Sequence, residues 1–257
     1  MKEALFYLAV LLANVIQGIT GFAGTILAMP FSVRLVGMDV AVPVLNVLGL
    51  LSGIYVFAGN RKHVDAKEIK RILTVAVPAV IAGILIKLWL SARPGVLYIV
   101  LGTVVTATAV IGLWKMFGPG KAAAESSSAD GGESPEKPQS SGITAVLILA
   151  ASGLVHGMFV CGGPLLISYL AVRIRDKTAF RATISTVWIF LNGIILVSQI
   201  ISGAWSADLL RVQLISVPFL LAGMFLGGVL YRHMSQRTFM VLTYVLLLIA
   251  GLSLFFK

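Results

Sequence analysis

Six stretches of this chain, 40–59, 70–91, 94–117, 178–202, 209–231 and 237–256, are nearly uninterrupted runs of apolar residues. A helix needs about 20 such residues to cross the hydrocarbon layer of a bilayer. The runs therefore predict membrane-spanning helices and leave little room for another architecture. Composition agrees: 58% of the 257 residues are hydrophobic and 12% are charged, against about 25% charged in soluble domains. A soluble fold of this size would lack the polar surface to cover itself, so a cytosolic enzyme, a secreted disulfide scaffold and a nucleic-acid-binding domain are set aside. The single cysteine, Cys161, allows no internal disulfide and no cysteine-pair zinc site. The net charge of +10 reads as basic loops held on the cytoplasmic side. The apolar run that follows Met-Lys-Glu reaches no small-residue cleavage site and reads as part of the fold.

Two further apolar stretches, 4–37 and 142–174, are too long for one span and too short for two. Each is interrupted by a glycine-rich break, Gly18-Ile-Thr-Gly-Phe-Ala-Gly24 in the first and Cys161-Gly-Gly-Pro164 in the second. Between the halves, 118–141 is rich in Gly, Pro, Ser and charge and reads as a disordered loop. The halves match each other. Gly18 and Gly24 pair with Gly157 and Gly163, Val77-Pro78 and Ala82-Gly83 with Val217-Pro218 and Ala222-Gly223, and Gly112-Leu113 with Gly251-Leu252, all at an offset of 139 or 140. The expected organisation is a first transmembrane repeat over 1–117, the loop, and a second repeat over 142–257. Internal repeats with a site at their interface are a common transporter design.

Loop charges bear on how the broken stretches meet the membrane. If each crosses once, the 20 basic residues divide 11 to 9 between the two sides. If each enters and returns as a re-entrant hairpin, they divide 14 to 6. The second division obeys the positive-inside rule. Each half is then one hairpin plus three spans, and the second half is inverted relative to the first.

All ten acidic residues fall in or beside loops. Cation pumps and many proton-coupled carriers keep an intramembrane carboxylate, so the absence favours an anion. The breaks offer it a place. A half-helix that restarts inside the membrane presents unpaired N–H groups and the positive end of its dipole, and Pro164 suits a first helical turn. Glycines at 21, 24, 162 and 163 let backbone approach an oxyanion closely, and Thr20 and Thr25 add hydroxyls. The same glycines also serve a purely packing role in membrane helices. His156, one turn before the second break, reads as a donor or proton carrier, or as a helix-to-helix hydrogen bond. Asn46 and Asn192 either line a path or bond across helices. Thr183, Ser185 and Thr186 read as bonding back to their own helix. Cys161 reads as a small residue at the break. Trp89, Trp114 and Trp205 read as interfacial anchors, and Trp188 as core or lipid-facing. Lys87 and Arg34 read as snorkelling cations.

At these breaks the chain resembles the TauE/SafE family of sulfite and organosulfur anion exporters, also called the toluenesulfonate uptake permease family. Gly18-Ile-Thr-Gly-Phe-Ala-Gly-Thr-Ile-Leu-Ala-Met-Pro30 is similar to the family's opening glycine- and phenylalanine-rich motif. Gly153-Leu-Val-His-Gly-Met-Phe-Val-Cys-Gly-Gly-Pro164 is similar to its repeat. Ala179-Phe-Arg-Ala-Thr183, Trp188 and Asn192 also fit, and the resemblance covers nearly the whole chain. Ala23 departs from the glycine common there, and its methyl group narrows the first break. The resemblance implies transport of small sulfur-containing anions such as sulfite or sulfonates.

The expected protein is an all-α polytopic membrane protein, multi-pass in the cell's inner (plasma) membrane, without cofactor or metal. Its partners are membrane lipids and a small sulfur-containing anion, and nucleic acid is not among them. The expected substrate-binding residues are Thr20, Gly21, Phe22, Gly24, Thr25 and Asn46 in the first half. In the second they are His156, Cys161, Gly162, Gly163 and Asn192. An intramembrane enzyme is the weaker reading, because His63 and His233 lie in loops and no carboxylate is placed to orient His156. A membrane scaffold without transport is the other alternative; it has no reason to bind a small anion.

Overall fold

The computed structural model describes residues 2–20, 24–117, 142–174 and 176–230, together with a few positions beyond 243. The described residues form nine α-helices: α1 (Lys2–Thr20), α2 (Gly24–Val36), α3 (Met38–Asn60), α4 (Ala66–Leu90), α5 (Pro94–Phe117), α6 (Gly142–Phe159), α7 (Gly163–Arg173), α8 (Lys177–Ile201) and α9 (Ala207–Leu230). Six of them, α3, α4, α5, α6, α8 and α9, are long and apolar enough to cross a membrane. The expected loop at 118–141 and most of the span expected at 237–256 lie outside the described residues.

Charge marks where the helices begin. Every acidic residue among those described caps a helix or sits in its first turn: Glu3, Asp39, Glu68 and Asp208 in first turns, Asp65 and Asp176 as caps. Asp65 accepts from the N–H groups of Lys67 and Glu68 at 3.0 and 3.1 Å, and Asp176 from Ala179 N–H at 2.7 Å. There the carboxylate meets otherwise unpaired amides and the positive end of the dipole. Pro30, Pro43, Pro78 and Pro218 lie inside helices, as membrane helices tolerate when neighbours re-satisfy the backbone. The tight connection from α2 to α3 turns on Gly37, at φ +81°, which a side chain would strain.

Both broken stretches are pairs of a long and a short helix. Gly24 lies against Ala13 and Gln17 of α1, and Gly162 against Ser152 and His156 of α6. The chain has thus doubled back past the tip of the long arm in each case. The central helices α3 and α8 are among the most buried and cross antiparallel: Gly53 meets the carbonyl of Ser185, Gly49 meets Asn192, and Asn46 reaches Gln199. Around them, α1 lies along α9 and α6 lies along α4. Both outer seams are glycine seams. Gly223 and Gly227 face the backbone of Leu11 and Val15, while Gly83 faces Leu154, and Gly153 and Gly157 face Ala76 and Val80. Without side chains the backbones approach closely, which maximises dispersion contact where lipid supplies no hydrophobic drive. By packing, the counterpart of Gly83 is Gly227, one helical turn beyond the Gly223 with which the sequence offset pairs it.

Large apolar side chains cover the outside, among them Leu85, Leu214 and Phe225, as a lipid-facing surface requires. Trp89 and Trp114 are exposed near helix ends, where indole rings suit the membrane interface.

Candidate functional site

The tip of α1 is tied down by one amide. Gln17, almost wholly buried, accepts from Gly24 N–H through Oε1 at 2.7 Å and donates from Nε2 to Ser52 Oγ at 3.0 Å. Ser52 in turn donates to Gly49 O at 2.9 Å. A first-turn amide of α2 thus has its acceptor from within the chain, a need that follows from the unpaired N–H groups at every helix start.

In the second half, α6 ends at Val160, whose φ of +58° is the left-handed conformation that favours glycine. Its N–H donates to His156 O at 2.7 Å. That turn swings Cys161 and Gly162 back along α6, where Gly162 O accepts from Ser152 Oγ at 2.7 Å, and α7 restarts at Gly163-Pro164. His156 is buried, with Nε2 2.9 Å from Asn192 Oδ1. Because Oδ1 can only accept, Nε2 carries the hydrogen. The imidazole lies stacked on Trp188, with ring centroids 5.0 Å apart and planes at 28°.

These groups line a common cavity. Five of the expected site residues line it, Thr25, His156, Cys161, Gly163 and Asn192. Gly24 and Gly162 are buried but are not among its lining residues; the N–H of Gly24 and the carbonyl of Gly162 are already engaged as above. Asn46 stands behind Asn192, donating from Nδ2 to its backbone carbonyl at 3.1 Å. Gly21, Phe22 and the side chain of Thr20 lie outside the described residues.

Five lining residues were not expected: Gln17, Ile26, Gly49, Val160 and Trp188. Gln17 carried a usable signal, since the repeat offset that joins Gly18 to Gly157 also joins Gln17 to His156. Gly49 and Ile26 carried none. Of the hydroxyls expected to bond back to their own helix, Thr186 does so, to Ala182 O at 2.8 Å. Thr183 differs: its Oγ1 accepts from Asp65 N–H at 3.0 Å, because the start of α4 needs an acceptor there.

The cavity has a volume of about 20 Å³, room for little more than one water. No Asp, Glu, Lys or Arg is among its described lining residues. What the cavity offers is hydrogen bonding from amides, a hydroxyl and an imidazole, set among glycine and apolar side chains. Charge gathers instead at one end of the bundle. Glu68 of α4 pairs with Arg71 at 2.8 Å and Arg173 of α7 at 3.4 Å, and accepts from Tyr169 Oη at 3.0 Å. Arg181 of α8 donates to Gly18 O at the tip of α1, 3.3 Å.

Comparison with known proteins places this geometry. No solved structure matches the chain. A curated relative from Comamonas testosteroni, "Probable inner membrane transporter protein TsaS", is 32% identical over 111 residues, covering 41% of this chain and 46% of the relative. The chain thus matches about half the length of that protein. The family model described as "Sulfite exporter TauE/SafE" matches residues 6–254. With both breaks, both glycine seams and the cavity-lining residues inside the matched region, the chain belongs to the TauE/SafE family.

Proposed function

We propose that the protein is a multi-pass inner-membrane transporter that exports small sulfur-containing anions, such as sulfite or organosulfonates, by alternating access around the central cavity. The observation that carries this reading is convergence: residues flanking the first break (Gln17, Thr25), the second break (Cys161, Gly163) and both central helices (Gly49, Asn192) line one cavity in a chain of this family. The printed name of the Comamonas relative agrees with transport across an inner membrane.

Two inverted repeats are supported by the packing. Exchanging the halves turns the α1–α9 seam into the α6–α4 seam and returns the α3–α8 pair to itself. That central pair is antiparallel, as inversion requires. Gly112 against Tyr244 and Gly251 against Thr106 also exchange, within one residue. The substrate oxyanion accepts from the amides at the starts of α2 and α7 that are not paired within the chain, from Thr25, and from His156 Nδ1 once the imidazole takes a second, coupled proton, since Nε2–H is held by Asn192. A cavity this small has no room for the anion, so substrate entry requires one hairpin to move from the α3–α8 pair.

Flux of labelled sulfite from proteoliposomes tests the reading. His156→Ala and Gly163→Leu are expected to reduce it to background in protein that remains monodisperse and thermally stable. Undiminished flux in both stably folded variants would sink the site assignment.

A further inference from the structure

The α3–α8 seam continues beyond the cavity as a second polar place. Asn46 lies one turn of α3 before the cavity-lining Gly49, and Gln199 lies two turns of α8 beyond the cavity-lining Asn192. Both continue the seam toward the face where α3 begins and α8 ends. Asn46 is fully buried and Gln199 is 8% exposed.

The orientation of both amides follows from the backbone. The carbonyl of Asn192 can only accept, so Asn46 must present Nδ2 to it, at 3.1 Å. The same Nδ2 reaches Gln199 at 3.4 Å, so Gln199 turns Oε1 toward Asn46 and Nε2 away. One acceptor, Asn46 Oδ1, and one donor, Gln199 Nε2, are left buried without a partner among the described residues. Buried polar groups are ordinarily paired, and no Lys or Arg is among the described cavity-lining residues.

We infer that Asn46 and Gln199 form a selectivity station next to the cavity, which takes a sulfur oxyanion of single negative charge carrying one O–H donor. The O–H donates to Asn46 Oδ1, and an unprotonated oxygen accepts from Gln199 Nε2. A doubly charged oxyanion has acceptors only and sets a negative oxygen against Oδ1. Its desolvation cost also grows as the square of the charge in a low-dielectric interior. The required hydroxyl has two sources, the proton of hydrogen sulfite or the alcohol of a hydroxyalkanesulfonate. The inference rests on the transport reading above.

The test is exchange in proteoliposomes at equal pH on both sides. In one arm, labelled sulfite is exchanged across the pH range in which sulfite gains its first proton. In the other, isethionate and ethanesulfonate, equal in charge and differing by one hydroxyl, compete for the label. The station predicts that exchange tracks hydrogen sulfite, or that isethionate outcompetes ethanesulfonate by at least about tenfold, since a site built to pair a hydroxyl rejects the analogue lacking it. Each arm identifies its own source. Gln199→Met should bring the isethionate preference toward unity. Gln199→Glu, which keeps Oε1 against Asn46 and replaces the donor by an acceptor, should lose hydrogen sulfite first. A merely structural role would lower thermal stability in both variants and leave the preference intact, and that overturns the inference. So do exchange that follows the doubly charged anion and sulfonates that compete equally. Failure to exchange any sulfur oxyanion would instead bring down the transport reading itself.

Discussion

The tip of α1 and the tip of α6 occupy matching places in the two halves, yet they are finished differently. Gln17 closes the first tip: its oxygen takes the N–H of Gly24 and its nitrogen reaches Ser52 of α3. His156 stands at the equivalent position of the second tip, bonded to Asn192 of α8 and stacked on Trp188. The amide cannot titrate and has both ends engaged. The imidazole can exchange a proton, and only one of its nitrogens is engaged among the described residues. Both tips line one cavity, and at this one position an amide paired at both ends stands in one half and an imidazole with one nitrogen unpaired among the described residues in the other.

If packing is symmetric and chemistry is not, substitutions at the seams should act alike in the two halves. Gly83→Leu and Gly227→Leu each drive a side chain into a facing carbonyl, of Leu154 and Val15 respectively. Backbone cannot yield as a flexible side chain can, so the cost is several kcal/mol, beyond the usual 1–3 for overpacking. Both variants should lose the monodisperse peak in detergent size-exclusion chromatography. A folded protein from one of them alone would break the equivalence of the seams.

At the tips the outcomes should divide. Gln17→Leu leaves the buried Gly24 N–H without its acceptor and should cost about 1–3 kcal/mol, read as a lowered melting temperature in detergent. His156→Gln makes the two tips alike; it should change stability by less than Gln17→Leu while sulfite flux falls by at least about tenfold. Equal losses of stability at the two positions would erase the distinction drawn between them. The smallest effect belongs to the ion pair at the end of the bundle. Glu68→Gln weakens its links to Arg71 and Arg173, both partly exposed, and should shift stability by no more than about 1 kcal/mol.

How much of this was legible in advance depends on what each feature is made of. Apolar length and glycine punctuation are local, so the spans expected at 40–59, 70–91 and 178–202 appear as 38–60, 66–90 and 177–201. The breaks were legible for the same reason. Register between helices is not local: matching Pro78 and Gly83 with Pro218 and Gly223 aligned letters, whereas the seam aligns Gly83 with Gly227 because backbone contact sets the packing. Trp188 shows a second limit. Its depth in a span left core and lipid-facing positions equally open, and its stacking on His156 joins residues 32 positions apart on different helices. Gln17 lay in an apolar run, where a lone amide reads as incidental until its repeat mate is considered.

Val160 carries a thermodynamic consequence. A non-glycine residue held in the left-handed region costs about 1–2 kcal/mol, and a β-branched one is a marked outlier. The surrounding packing has to supply that energy to hold the turn between α6 and α7. A rearrangement that released Val160 from the left-handed region would be favoured by a factor of about 5 to 30 on that account alone.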